Sequence, residues 1–290
     1  MRNYFLLAVL IFLSNCSFSQ TRLPAMFSDN MVLQQQQMVS VWGVDNPNAK
    51  IAVSGSWGRN ATATADVKGH WKLKLQTPSA GGPYTVVIKG SKEVTLKNVL
   101  IGEVWLCSGQ SNMEMPMKGF RDQPILGAND AVFNSTNDQI RLYTVPRSVQ
   151  RTPQDTTKAS PWKLAEPEAV NNFSATAYYF GKMLYDKLKV PIGLINISYG
   201  GSPVEAFMDA ETLKQFPELK VPSATDTARL NNRVPTVLYN GMLHPFLGYT
   251  IKGCLWYQGE SNYDRPDQYE KLFQAMVAQW RSEWQQGDFP

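Results

Sequence analysis

The sequence predicts an α/β protein, a doubly wound parallel sheet preceded by a small β-sandwich. Three observations carry the prediction. Residues 21 to about 98 repeat a period of two with no helical stretch. From Asn172 the apolar spacing becomes that of a helix face, and strands and helices then alternate. Two apolar runs, 99–104 and 251–257, each lead into glycines and small polar residues, as buried strands do where a site forms on the carboxyl rim of a parallel sheet. The length of 290 residues and a hydrophobic content of 43% leave room for one large core and a smaller satellite.

Residues 1–19 read as a signal peptide. Arg2 supplies the positive start, Phe5 to Leu13 the apolar centre, and Ser17-Phe18-Ser19 a small-x-small site with cleavage before Gln20. Cys16 offers a lipoprotein alternative, but Asn15 before it is bulky for that processing, so export with release to the periplasm or exterior is favoured. No later run reaches the roughly 18 apolar residues of a membrane span. The net charge of +4 is spread through mixed acidic and basic residues, without the basic run that a nucleic-acid track needs.

The first domain is expected over 20–98. Val39 and Val41 alternate with polar neighbours, as do Ile51 and Val53, Trp71, Leu73 and Leu75, and Tyr84, Val86 and Ile88. Asp45-Asn46-Pro47-Asn48 and Ala80-Gly81-Gly82-Pro83 are turn chemistry between them. Such a module could bind sugar, support the wall of a site, or simply pack.

The second domain is expected over 99–290. Its segment 114–167 reads as an irregular insertion, broken by Pro116, Pro124, Pro146, Pro153, Pro161 and Pro167, with a short strand at 139–143. Phe120 and Trp162 are candidates to line a sugar site, or core residues. Phe173, Ala177, Phe180, Leu184 and Leu188 then mark a helix, and 191–197 a buried strand ending at Tyr199-Gly200-Gly201. A helix over 210–216, the strand 251–257 and a helix over 268–284 follow, the last with Tyr269, Leu272, Met276 and Trp280 on one side. A further strand is expected to begin where the sequence stops at Gly287-Asp288-Phe289-Pro290, so the sheet is expected to be incomplete.

Gly109-Gln110-Ser111 after the first run has the layout of a nucleophile held at a strand-to-helix turn, although Gly-x-Ser is also common in loops and caps. Three ordered blocks add to it. Trp105-Leu106-Cys107-Ser108-Gly109-Gln110-Ser111-Asn112-Met113, Gly200-Gly201-Ser202-Pro203-Val204-Glu205-Ala206 and Trp256-Tyr257-Gln258-Gly259-Glu260-Ser261-Asn262 together resemble the sialate O-acetylesterase family of SGNH serine hydrolases, from about residue 21 to the end.

That resemblance implies a flavodoxin-like sheet behind an amino-terminal β-domain, and removal of O-acetyl groups from sugars. O-acetylated sialic acid is the first substrate to consider and another acetylated glycan such as xylan the alternative; a carbohydrate-binding protein without catalysis is the rival. It makes Ser111 the nucleophile, a glycine N–H an oxyanion donor, and Asn262 the side-chain donor. Which of Gly200 and Gly201 donates stays open, with Gly201 favoured. Gln110 and Glu260 are candidates to support the site or touch substrate. The resemblance calls for no cofactor or metal, and it puts the catalytic histidine in an Asp-x-x-His block expected beyond residue 290. His70 and His244, the two histidines present, lack that aspartate. His70 is expected to be structural, and His244, beside the third block, could line the cleft. Cys107 and Cys254 lie inside apolar runs and are expected to be free thiols. Oligomeric state is not legible.

Overall fold

The computed structural model describes residues 20–290. The expected signal peptide lies outside the described residues. The strands are β1 (Val32–Gln34), β2 (Met38–Val44), β3 (Lys50–Gly55), β4 (Arg59–Thr64), β5 (His70–Gln76), β6 (Gly81–Lys89), β7 (Glu93–Gly109), β8 (Asn137–Thr144), β9 (Lys163–Ala165), β10 (Ile192–Ser198) and β11 (Gly253–Tyr257). The α-helices are α1 (Ser111–Glu114), α2 (Ala128–Phe133), α3 (Pro167–Asn171), α4 (Ala175–Leu188) and α5 (Pro266–Trp284).

The α/β class holds, built on a large mixed sheet. Its path is β4-β3-β6-β7-β10-β8-β9, with β1 and β11 also on β7, and β2 pairs β5 in a separate two-stranded sheet. β11, β7, β10 and β8 run parallel to one another. β9 is antiparallel to β8, and β3, β4 and β6 are antiparallel in turn. The amino-terminal strands are therefore not set apart from the parallel layer. β7 is 17 residues long and belongs to both regions, pairing β6 through its first half and β10 and β11 through its second.

The parallel layer forms because its strands are apolar on both faces, as strands covered by helices must be. All seven residues of β10 are buried. Their side chains divide by parity: Ile192 and Leu194 join Tyr178, Ala177 and Phe173 on the α4 face, while Ile195 and Ile197 join Leu272, Met276 and Trp280 on the α5 face. Ser174 caps α4 by accepting the Ala177 N–H at 3.1 Å. Gly181 lets that helix lie close, since a Cβ there would come within 2.6 Å of Leu194 Cδ1.

One local expectation is corrected, and one strand is unexpected. The helix over 210–216 is a 3-10 turn, Thr212–Gln215: Asp209 Oδ1 accepts the Thr212 N–H at 2.7 Å, and Pro217 cannot donate to a longer helix. β4 has no counterpart in the sequence reading, because Arg59-Asn60-Ala61-Thr62-Ala63-Thr64 lacks large apolar residues and is recruited by pairing to β3. Among the described residues no helix is long and apolar enough to cross a membrane.

Candidate functional site

The carboxyl ends of β11, β7 and β10 carry the three blocks onto one rim. Ser108 Oγ donates to the Ile197 carbonyl at 2.7 Å, tying the end of β7 to β10. Gly109 follows with φ 141° and passes so near β11 that a Cβ would lie 2.1 Å from Tyr257 O. Gln110 N–H then donates to that oxygen at 3.0 Å, and the partly exposed Ser111 opens α1.

Gly200 lies against the serine. A Cβ on it would fall 3.5 Å from Ser111 Cβ and 2.9 Å from Glu114 Oε2. Its own N–H is committed to Glu114 Oε2 at 2.8 Å. Glu114 in turn pairs with Arg147, whose guanidinium stacks over Tyr199 at 4.6 Å. Gly201 has φ 75°, and among the described residues its N–H has no partner. Of the two glycines, Gly201 thus keeps a donor to offer. Asn232 Nδ2 holds the Gly200 carbonyl at 2.7 Å, and Arg233 the Gly201 carbonyl at 3.1 Å.

Asn262 is buried between the second and third blocks. Its Oδ1 accepts from Val204 N–H at 3.0 Å and from Gln258 Nε2 at 2.7 Å, and its Nδ2 donates to Glu205 Oε2 at 2.9 Å. Gln110 Oε1 accepts from Gln258 Nε2 and from the Ser261 N–H, so its role is to join the first block to the third. Glu260 does the same from the other side by accepting from Asn112 Nδ2.

The structure therefore brings together Ser111, Gln110, Gly200, Gly201, Glu260 and Asn262. It does not bring His244 to them. That residue sits in the 3-10 turn His244–Phe246, with Nδ1 2.9 Å from the Gln154 carbonyl and its ring against Tyr239. It faces a separate cavity of about 700 Å³ shared with His70, Trp42 and Trp71 and containing none of the block residues. Pro245 and the π-turn Tyr239–Leu243 steer the chain there before β11 begins, so closeness in sequence misleads. His70 is exposed, 3.8 Å from Asp66. Trp162 is core, its Nε1 donating to the Met26 carbonyl at 2.8 Å. Phe120 is partly exposed and borders a pocket of about 310 Å³ with Glu114 and Arg147.

Among the described residues Cys107 and Cys254 are free thiols. Burial pushes the Cys254 thiol up to about 12 and raises Cys107 well above its ordinary value, which favours the neutral thiol at both positions. Among the described residues no group of three or more His, Cys, Asp and Glu side chains is arranged to hold a metal ion.

Sequence reasoning did not single out Gln258, Glu205, Arg265, Glu114, Arg147 or Asn232. Gln258 and Glu205 stand inside the quoted blocks, and Glu114 lies three residues after the serine, one turn on. Arg147 and Asn232 come from distant loops with no local signal.

A family model described as carbohydrate esterase, sialic acid-specific acetylesterase, matches residues 101–290. The sialate O-acetylesterase of Homo sapiens is 32% identical over 285 residues, an alignment covering 92% of this chain and 54% of that protein. The one from Mus musculus is 31% identical over 312 residues, covering 91% and 56%. Among solved structures, a carbohydrate acetylesterase from Xanthomonas citri superposes with a TM-score of 0.83 at 39% identity, covering 93% of this chain and 59% of that one. The chain spans little more than half the length of the relatives it matches.

Proposed function

The chain belongs to the sialic acid-specific acetylesterase family of carbohydrate esterases, and from that premise we propose that it carries the nucleophile and oxyanion hole of a serine esterase that removes acetyl groups from sugar hydroxyls. One observation carries the reading: Ser111, the uncommitted Gly201 N–H and the Asn262 carboxamide are gathered on one rim of the parallel layer by hydrogen bonds between the three blocks. We read that layer as part of the flavodoxin-like sheet of SGNH hydrolases, and the strands before it as the supporting β-sandwich. On the same reading residues 1–19 direct export.

In the reaction, Ser111 Oγ attacks the acetyl carbonyl while a histidine, which the family resemblance puts in an Asp-x-x-His block expected beyond residue 290, takes its proton. The carbonyl oxygen becomes an oxyanion held by the N–H groups of Ser111 and Gly201 and by Asn262 Nδ2. The C–O bond to the sugar breaks, the sugar oxygen takes the proton from the histidine, and the acetyl group stays on Ser111. Water then attacks, the histidine again accepts a proton, and acetate leaves as Ser111 is restored. His244 and the buried thiols take no part.

Acetate release by the full-length protein tests the proposal. O-acetylated sialic acid is expected to be hydrolysed faster than acetylated xylan; the reverse order would keep the chemistry and change the substrate. Ser111→Ala is expected to lower turnover by about 10⁴-fold or more and to abolish labelling by a serine-directed phosphonate. Asn262→Ala is expected to cost about 10²-fold in kcat with little change in KM. Unchanged hydrolysis in Ser111→Ala would refute the assignment.

A further inference from the structure

The oxyanion donor of the proposed reaction sits on a charged pair that neither the blocks nor the family comparison explains. Glu205 is 4% exposed, at the start of the 3-10 turn Val204–Phe207. Burying a carboxylate is unfavourable unless its oxygens are paired. One oxygen, Oε1, accepts from Arg265 Nη2 at 2.9 Å, and the other accepts from Asn262 Nδ2 at 2.9 Å. Arg265 is itself held by Gln268 Oε1 at 2.6 Å and stands immediately before α5.

A carboxamide has four hydrogen-bonding positions, two acceptor sites on oxygen and two N–H donors. In Asn262 the acceptor sites are filled by the Val204 N–H and Gln258 Nε2, and one donor is filled by Glu205. One N–H is left, and a single N–H is what an oxyanion needs from this residue. Rotating the amide by 180° would set Oδ1 against the Glu205 carboxylate and the NH₂ group against two donors. A carboxylate accepts and never donates when ionised, so Glu205 reads the amide in one sense only.

We infer that the Glu205–Arg265 pair is the positioning device of this site, fixing the Asn262 carboxamide so that its remaining N–H is the oxyanion donor. Glu205 touches neither substrate nor reacting atoms and acts through Asn262; Arg265 acts through Glu205. The inference rests on the esterase reading above.

The test is the hydrolysis of 4-nitrophenyl acetate by the full-length protein. Glu205→Met keeps the volume and removes the acceptor, and Glu205→Gln keeps an acceptor. Glu205→Met is expected to lower kcat by about 30-fold with KM within about threefold, and Glu205→Gln to recover most of that loss. In an Asn262→Ala background, Glu205→Met should cost less than about threefold more, because the group it positions is already gone. The double variant Glu205→Met, Arg265→Met removes the stranded cation and gives the same reading where the single variant does not fold. An unchanged kcat in Glu205→Met, or losses that multiply in full with Asn262→Ala, would overturn the inference. Ser111→Ala, run alongside, separates the two ideas. Retained activity there defeats the esterase reading, whereas loss there with a wild-type Glu205→Met defeats only the positioning role.

Discussion

At Gly109 the site depends on the absence of a side chain. The φ of 141° is one that side-chain-bearing residues rarely adopt, and a Cβ would meet the Tyr257 carbonyl at 2.1 Å. That oxygen is backbone and already accepts from Gln110 N–H, so it cannot yield without parting β11 from β7. Gly259 makes the opposite case, because nothing lies within 4 Å of its missing Cβ. Gly109→Ala should therefore lose at least about 1–3 kcal/mol in denaturant unfolding together with phosphonate labelling of Ser111. Gly259→Ala should stay within about 0.5 kcal/mol of the parent. Equal effects would mean that close backbone approach is not what glycine provides at 109. Residues of this kind are legible in sequence because a short block records them. Glu205 and Gln258 stand in the same blocks, yet their work depends on partners 57 and 148 positions away, and nothing local marks that.

Between residue and molecule, α5 transmits packing to the site. Leu272, Met276, Trp280 and Trp284 are buried at helical spacing on one side. Trp280 Nε1 donates to the Phe207 carbonyl at 3.1 Å, and its ring meets Trp256 edge-on at 5.6 Å. One side chain thus braces both the turn that carries Glu205 and the strand that leads to Gln258 and Asn262. Trp280→Ala is expected to cost about 3–5 kcal/mol and to lower the urea midpoint, with Trp280→Phe falling between it and the parent. A loss below about 1 kcal/mol would show that the helix is held elsewhere. The periods that announce α5 and β5 are strong because each buries a whole face, and β10 stands out because both of its faces are buried. Of the face read for α4, Phe173 and Ala177 are buried, Phe180 and Leu184 are half-buried and Leu188 is exposed, since Tyr178 and Gly181 turn to the sheet instead. Segment 210–216 carries a partial period, with Leu213 and Phe216 buried, but Asp209 and Pro217 bound it too tightly for an α-helix. β4 carries no period, since its order comes from β3 rather than from its own side chains.

At the scale of the whole molecule, β7 decides how the chain unfolds. The sequence suggests a division near residue 98, and that position lies inside a single strand. The coupling goes beyond the backbone. Gln34 and Gln35 donate to the Glu103 carboxylate, and Gln34 Oε1 accepts the Val104 N–H at 2.9 Å. Tyr249 donates to the Val32 carbonyl at 2.8 Å, and Trp162 to that of Met26. Met26, Met31 and Val32 share one apolar cluster with Val104, Leu106, Ile195 and Trp280. Arg141, buried on β8, reaches Asn30 at 3.3 Å and Asn98 at 3.4 Å besides the Asp138 carbonyl at 2.8 Å, so removing the amino-terminal strands would take away two of the three acceptors of a buried cation. Buried groups left without partners cost about 1–3 kcal/mol each, and more when charged, which makes separate melting of the two regions unfavourable. Residues 20–290 should therefore unfold in one transition, with far-UV circular dichroism and tryptophan fluorescence coincident in urea. Gln34→Ala should move that whole transition to lower urea, since the site strand β7 then loses the acceptor for Val104 N–H and a donor to Glu103. Two resolved transitions, with Gln34→Ala shifting only one, would instead make the amino-terminal strands an independent domain that merely adjoins the parallel layer.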